Sequence, residues 1–381
     1  MFTEAIIGKY KKLYDLPELN YEERVSGKFF EFYRRRHHFV IVSIYNLKNE
    51  ILLIRDFNKV IGWELPGGYV NNGESIEEAI NRITVDEGGL EIDELSPVAV
   101  IKNIFKYKNN KIVHSGIAFM ALSRGHTKPT PKNIQSRFTS STPQKVAYQN
   151  ATILSLVRKR LARIKNRPPF GEIDSVKGKR FFLFYLLHKY VIKRIGNLSS
   201  RKIKTKLFDL IEGRPKTILD VSCGEDPVIN ELYEKYKPDI CVGNDISWKT
   251  ITFIQNRNPA IFFTNHNVLN LSYKIRFDLV VFKNTLHHIE RKHHHELMKN
   301  LLGLAKQLII IDVDDPRKST FRSKAWNKYY VYLLGDQGNS FLSFELFNKI
   351  LGAKELIYKK LKTGIINTIK GKYFYASIEN Q

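Results

Sequence analysis

Cysteine is nearly absent: two occur in 381 residues, Cys223 and Cys241. Without metal-ligand spacing, they exclude a disulfide framework and a thiolate zinc site and suit a reducing compartment. Long apolar runs are missing too. The longest, "FFLFYLLHKYVI" at 181–192, contains His188 and Lys189 and is too short to span a bilayer. Residues 1–15 hold no apolar h-region of a secretory signal, so the expected location is cytoplasmic. No internal repeat is visible, and no aromatic-interleaved RNA-binding motif occurs.

What is present describes an ordinary folded chain, 43% apolar and 26% charged. Its length exceeds what one core usually supports, so two domains are expected. The net charge of +24 is uneven. Residues 1–130 hold 18 basic and 17 acidic side chains, residues 131–215 hold 20 and 4, and residues 216–381 hold 24 and 17. A basic middle segment attracts phosphates as a class, and equally describes a solvated lysine-rich surface.

Along the chain, the first forty residues read as helical and end in "YRRRHH". "FVIVSIYN" and "ILLIRD" read as strands, and "PVAVIKNIFKYK" and "KIVHSGIAFMALS" as a hairpin turning near Asn109 and Asn110. Residues 125–150 have the Thr, Ser, Pro and Gln content of a linker, followed by a basic amphipathic helix in "ATILSLVRKRLARIKNR". From Lys216 the rhythm becomes short apolar strands alternating with helix-length segments: "TILDVS", "DICVGND", "AIFFTN", "FDLVVFKN" and "QLIIIDVD". That pattern predicts a parallel sheet buried on both faces. "ELIYKKLKTG" and "GKYFYASIE" complete it as an antiparallel pair. The expected domains are 1–125, a basic linker and helix at 126–170, and 171–381, where the apolar helix at 181–192 is read as a lid.

Between the N-terminal strands lies "LPGGYVNNGESIEEAINRITVDEGGL", residues 65–90. A glycine-rich loop lets backbone approach a diphosphate, and carboxylates at i, i+3 and i+4 of the next helix share one face. Gly68, Glu74, Arg82, Asp86, Glu87, Gly89 and Leu90 stand at the spacing of a Nudix box, and residues 38–125 resemble that family. The resemblance implies an N-terminal Nudix α/β/α sandwich, a loop shaped by Gly67, Gly68, Glu74 and Arg82, and carboxylates holding Mg²⁺, which neutralises the diphosphate and activates water. One carboxylate of the pattern is missing: position 83 is Ile83. Asp86 and Glu87 remain as metal candidates, with Glu78 or Glu77 one turn earlier as substitutes, and no Asp or Glu follows between Ser96 and Arg124. The expectation is weak metal binding and a box kept for binding a diphosphate or hydrolysing it slowly. Ile83→Glu is expected to add a carboxylate to a solvated site and raise metal affinity.

"ILDVSCGED" occupies the first strand-to-helix turn of the second half, "CVGNDIS" ends the second strand, "TNHNVLNL" follows the third, and "FDLVVFKNTLHHI" forms the fourth. Four motifs in this order resemble class I S-adenosylmethionine-dependent methyltransferases over residues 171–381. The resemblance implies a C-terminal Rossmann-like, seven-stranded, mostly parallel sheet. It also implies S-adenosylmethionine binding by Asp220, Ser222, Gly224, Asp245 and Asn267, with Asp245 on the ribose hydroxyls. Ser222 and Asp226 replace two glycines of the family pattern. Methyl transfer needs donor and acceptor in line, and a weakly acidic acceptor also needs a base. Asn284, His287, Asp312 and Asp314 are the candidates. "HHIERKHHHE" is read as a solvated helix start without metal, because consecutive helical residues diverge by about 100°. The expected substrate is a small, phosphorylated metabolite. The alternatives are an RNA-modifying enzyme gripping phosphates through residues 131–215 while the Nudix-like part recognises a 5′ end, and a non-catalytic nucleotide sensor.

Overall fold

The computed structural model describes residues 3–56, 62–92, 94–123, 134–143, 146, 148–162, 193–224, 228–247, 250–251, 254, 260–318, 321–333, 338 and 340–380. The chain forms two compact units. One comprises Met1–Arg167 with Ile246–Phe253 and Thr264–Ile275; the other comprises Pro168–Asp245, Ile254–Phe263 and Arg276–Gln381.

In the first unit, β2 (His38–Tyr45) is buried on both faces, which is why it reads as a continuous apolar run rather than an alternating one. It sits inside a mixed sheet with β1 (Glu18–Arg24), β3 (Ile51–Asp56), β5 (Glu94–Tyr107), β6 (Asn110–Leu122) and β7 (Ile134–Thr139), ordered β1-β5-β6-β2-β3-β7. The short β4 (Gly67–Tyr69) pairs beside β2. Period-2 alternation sends Phe39, Ile41, Ala118 and Met120 to one face. There α4 (Tyr148–Leu161) buries Ile153, Leu154, Val157 and Leu161 against them. Each such aliphatic side chain contributes about 2 kcal/mol. Phe119, on the opposite face of β6, meets the edge of Tyr10 from α1 (Glu4–Tyr14) at 5.6 Å. Helices therefore cover both faces, and the α/β/α sandwich is present.

Three local readings need correction. The first forty residues are not all helical: α1 and α2 (Gly27–Arg34) flank β1, which runs parallel to β5 from Glu18 opposite Val100 to Arg24 opposite Lys106. "ELNYEER" hides this strand because an edge strand needs only one paired side and tolerates charge. Within the linker-like stretch, β7 adds to β3 as the other edge, Phe138 opposite Leu52. The basic helix α4 is part of the N-terminal core. Its Arg160 guanidinium donates to the Pro97 and Val98 carbonyls of β5, and Arg158 donates to Thr142. The expected hairpin is present, with Lys108 at its tip in a left-handed conformation (φ 51°). The segment at 181–192, Arg163 and Asp226 lie outside the described residues.

The second unit contains β8 (Thr217–Asp220), β9 (Ile240–Asn244), β10 (Phe262–Thr264), β11 (Phe277–Lys283), β12 (Ala305–Val313), β13 (Lys360–Asn367) and β14 (Lys372–Glu379). Their order is β10-β9-β8-β11-β12-β14-β13. β8 runs parallel to β9 and β11, and β11 parallel to β12; β14 is antiparallel to both β12 and β13. Strand order reverses at β8, and ligands of such sheets bind at the carboxyl ends beside that switch. α5 (Lys193–Leu210), α6 (Val228–Tyr236), α7 (His294–Leu304), α8 (Phe321–Leu333) and α9 (Phe344–Leu351) belong to this unit. Among the described residues no helix is long and apolar enough to cross a membrane.

The histidine run departs from a solvated helix start at one position. His294 is 1% exposed, and its Nε2–H donates to the Leu286 and Ile289 carbonyls, while His295 is exposed. Adjacent helical residues diverge by about 100°, so His294 is turned inward as a structural group while His295 faces water.

Candidate functional site

In the N-terminal unit, Ser75 starts α3 (Ile76–Ile83) with a reciprocal capping box. Its hydroxyl accepts from the Glu78 N–H at 3.1 Å, and its own N–H donates to the Glu78 carboxylate at 2.8 Å. Glu78 is thus spent on the cap. Glu74 holds Arg82 in a bidentate pair (2.7 and 2.8 Å) and accepts from the Asn71 N–H at 2.7 Å, while Arg82 also donates to the Tyr69 carbonyl. These bonds lock the loop to the helix, and the Arg82 guanidinium holds the Glu74 carboxyl below its usual range.

α3 ends in a π-helical turn, Thr84–Gly88, closed by Gly89 in the left-handed region (φ 61°). A π turn breaks the 3.6-residue spacing on which a shared carboxylate face depends. The Glu87 carboxylate turns to the loop and accepts from the Gly67 N–H at 3.0 Å. Ile83 is 2% exposed and packs toward Gly68. The Ile83 side chain is therefore shielded from water even though position 83 borders the loop's pocket, so a carboxylate there would not simply join a solvated site. Burial pushes the half-buried Glu77 carboxyl up to about 7. Among the described residues no group of three His, Cys, Asp or Glu side chains is placed to hold a metal ion. The donor set does not fit the Mg²⁺ centre that the box implies.

The same loop lines a pocket of about 390 Å³ with Arg35, Arg36, Tyr69, Arg82, Ile83 and Glu87. Behind it, His114 is fully buried; its Nε2–H donates to the Tyr33 carbonyl and its Nδ1 accepts from the Tyr69 hydroxyl, both at 2.9 Å. That pairing requires a neutral ring, and burial lowers its pKa to about 4. Relative to an unfolded value near 6.5, His114 contributes stability that is present above pH 6.5 and lost as pH falls through 4, on the order of 3 kcal/mol. Hydrogen-exchange protection of β6 amides is expected to drop over that interval in the wild type and less in His114→Gln. Equal slopes in the two proteins would refute this role.

In the C-terminal unit, Asp220 ends β8 with 0% exposure, and neither carboxylate oxygen has a hydrogen-bond partner among the described residues. Burial pushes its pKa up to about 7, against the pull of the Lys283 ammonium and the Ser222 N–H. The buried Ser222 hydroxyl oxygen likewise has no partner there. Gly224 adopts φ 64°, which glycine supplies without strain, and its N–H donates to the Asp245 carboxylate at 3.0 Å. The Cys223 N–H donates to the Asn244 carbonyl, and the Asn244 side chain donates to the Val221 carbonyl, both at 2.9 Å. Four sequence-chosen residues, Asp220, Ser222, Gly224 and Asp245, thus meet at the carboxyl ends of β8 and β9. Buried polar groups left without partners carry a desolvation cost of about 1–3 kcal/mol or more, so a cationic or donor-bearing ligand fits this cradle. Asn267 is grouped with the other unit, where it caps a short helix by accepting from the Leu269 N–H; its Nδ2 is buried without a partner.

A second cavity of the same unit, about 230 Å³, is lined by Asn284, His287, Trp326, Phe341, Lys370 and Tyr373, among others. Asn284 immediately follows β11 at φ 54°, and its N–H donates to the Ile311 carbonyl. The His287 Nδ1–H donates to the buried Asp312 carboxylate at 2.6 Å, which also accepts from the Val313 N–H. The imidazole stacks on Phe341 at 5.2 Å with rings nearly parallel. Burial lowers the Lys370 pKa, and its ammonium lies 5.6 Å from the Trp326 ring centre. Asp314 is used elsewhere: it accepts from the Phe344 N–H at the start of α9. Two of the four base candidates therefore line the cavity, Asp312 stands behind one of them, and Asp314 does not take part. Lys370, Trp326 and Phe341 carried no sequence signal, since they come from late loops and α8. Arg35 and Arg36 were visible only as part of a basic run.

Residues 34–143 match the NUDIX domain model and residues 218–307 match a methyltransferase domain model. Similar solved structures include the plantazolicin methyltransferase BpumL in complex with a triazolic desmethylPZN analog and SAH. It is 14% identical over 52% of this chain and 90% of that one, with a TM-score of 0.40. Another is the N-methyltransferase NodS from Bradyrhizobium japonicum WM9, 16% identical over 48% and 97%, TM-score 0.36. The methyltransferase domain of bacterial CtHen1 is 12% identical over 47% and 98%, TM-score 0.38.

Proposed function

Because the chain joins a NUDIX domain to a methyltransferase domain, we propose that it methylates a small, anionic metabolite using S-adenosylmethionine and binds a phosphorylated ligand in its N-terminal domain without rapid hydrolysis. The observation that carries the first half is the buried, partnerless carboxylate of Asp220 beside the Gly224–Asp245 contact. S-adenosylmethionine supplies the electrophilic methyl group when bound. Asp220 and Ser222 would hold its cationic and polar groups, and Asp245, already fixed by the Gly224 N–H, would accept from ribose hydroxyls.

The acceptor belongs in the cavity with His287. Donation of Nδ1–H to Asp312 sets the tautomer that carries the lone pair on Nε2. His287 then takes the acceptor's proton as methyl transfer proceeds, while Asp312 stabilises the imidazolium that forms. Phe341 keeps the ring plane fixed by stacking. Lys370, a desolvated ammonium in the same wall, favours an acceptor bearing a carboxylate or phosphate. The size of the cavity suits a small molecule. Against a polyanion grip by α4 stands the internal use of Arg158 and Arg160.

Calorimetry with S-adenosylmethionine tests the reading. Wild type is expected to bind, and Asp245→Ala to bind roughly 5- to 150-fold more weakly, the equivalent of about 1–3 kcal/mol for a lost charge-assisted hydrogen bond. No binding by the wild type would overturn the methyltransferase assignment; unchanged affinity in the variant would remove Asp245 from the site. A metabolite screen with labelled methyl donor then identifies the acceptor.

A further inference from the structure

Nudix-type pockets neutralise a diphosphate with a metal, and the donor set here does not fit one. Ile83 is buried where a carboxylate is needed, Glu78 is held in the helix cap, and Glu87 accepts from the Gly67 N–H. The pocket nevertheless keeps its glycine loop and its volume. It also contains what a metal-free anion receptor requires.

Arg35 and Arg36 follow the C-terminus of α2 and line the pocket together with the loop. Neither forms an ion pair among the described residues, whereas Arg82 is neutralised by Glu74. Two adjacent guanidinium groups therefore face the cavity with their charge uncompensated by a dedicated carboxylate. Arg36 is also held in place: its guanidinium carbon lies 4.5 Å from the Phe32 ring centre and 5.1 Å from that of Tyr69. Tyr69 is in turn tied to the neutral His114. A guanidinium fixed between two rings loses little freedom on binding, and its planar fork matches phosphoryl oxygens bidentately.

We infer that this pocket binds a diphosphate group without a divalent cation, Arg35 and Arg36 supplying the charge that Mg²⁺ supplies in a complete box. The inference rests on the reading of the N-terminal domain as a binder of phosphorylated ligands, and it names the means. Two guanidinium groups suit two phosphoryl units better than one. Phe32, half exposed beside Arg36, offers a flat surface to a base attached to the diphosphate. The shared chemistry is the diphosphate; free pyrophosphate and a nucleoside diphosphate are its two sources.

The test is calorimetry on the full chain with inorganic pyrophosphate and with ADP, each in excess EDTA and in excess Mg²⁺. Binding in EDTA within about twofold of that in Mg²⁺ is expected, together with at least a tenfold loss in Arg35→Ala/Arg36→Ala. Both side chains are exposed, so the double variant should keep its fold, which an unchanged near-ultraviolet circular dichroism spectrum and thermal unfolding transition would verify. Phe32→Ala should weaken ADP and leave pyrophosphate unchanged if the nucleotide is the ligand type, and change neither if pyrophosphate is. Binding only with Mg²⁺ would overturn the metal-free mode while keeping the pocket. No binding in either condition would overturn the pocket as well. Full affinity in the double variant would remove the arginines.

Discussion

S-adenosylmethionine should bind roughly tenfold more tightly at pH 8 than at pH 6, and Asp220→Asn should both weaken binding and abolish that dependence. The wild-type carboxyl titrates near 7 because burial penalises its charged form. A ligand with a permanently charged sulfonium favours the ionised carboxylate. At pH 6 most molecules must first lose a proton, and each pH unit below the pKa costs a further factor of ten in the limit. The sign for stability is opposite. A folded pKa raised from 3.8 to about 7 gives the ligand-free unit stability that is full below 3.8 and lost as pH rises through 7. Added donor should therefore raise the melting temperature more at pH 8 than at pH 6. Calorimetry in two buffers of different ionisation enthalpy would register the proton released on binding at pH 6. A pH-independent affinity in the wild type would remove Asp220 from the cationic end of the site.

Opposite pH trends in one chain follow from opposite solutions to burial. His114 sits neutral between a hydroxyl and a carbonyl that satisfy both ring nitrogens, so acid harms it. Asp220 is buried with no such partners, so base harms it until a ligand arrives. A satisfied group reports on packing. An orphaned one points to something missing from the protein alone.

The strands buried on both faces were readable because burial on two sides demands a continuous apolar run, as in "FVIVSIY" and "QLIIIDVD". The edges were not. β1 and β7 are specified by backbone pairing to β5 and β3, and backbone carries no side-chain pattern. The same distinction separates the two ligand sites. Asp220, Gly224 and Asp245 follow strands at fixed points, and a strand end plus a sharp turn leaves a local signature. The acceptor cavity draws Asn284 and His287 from one motif but Trp326, Phe341 and Lys370 from segments far along the chain. Nothing in a linear reading brings these together. The π turn at Thr84–Gly88 was likewise invisible, because one inserted residue changes which side chains share a face without altering composition.

Ile83→Glu should destabilise the N-terminal unit by several kcal/mol and fail to build a tight Mg²⁺ site. Ile83 is almost wholly shielded, and its Cδ1 would lie 3.4 Å from a β-carbon on Gly68. A carboxylate placed there loses its hydration, and the pocket offers it Glu87 and nearby Asp86 as like charges. Both effects raise its pKa and favour the neutral acid, which is a poor metal ligand. The π turn adds a geometric obstacle, since the Glu87 oxygen is already engaged with the Gly67 N–H. Two companions separate the causes. Ile83→Leu keeps volume and polarity and should cost less than about 1.5 kcal/mol, while Ile83→Gln adds polarity without charge and should fall between. Thermal unfolding with and without Mg²⁺ reads all three. If Ile83→Glu matched wild-type stability and its melting temperature rose steeply with Mg²⁺, the missing carboxylate would be the only thing separating this pocket from a metal centre. The expected flat response instead means that the surrounding structure has closed over position 83, so that a single substitution no longer restores the box.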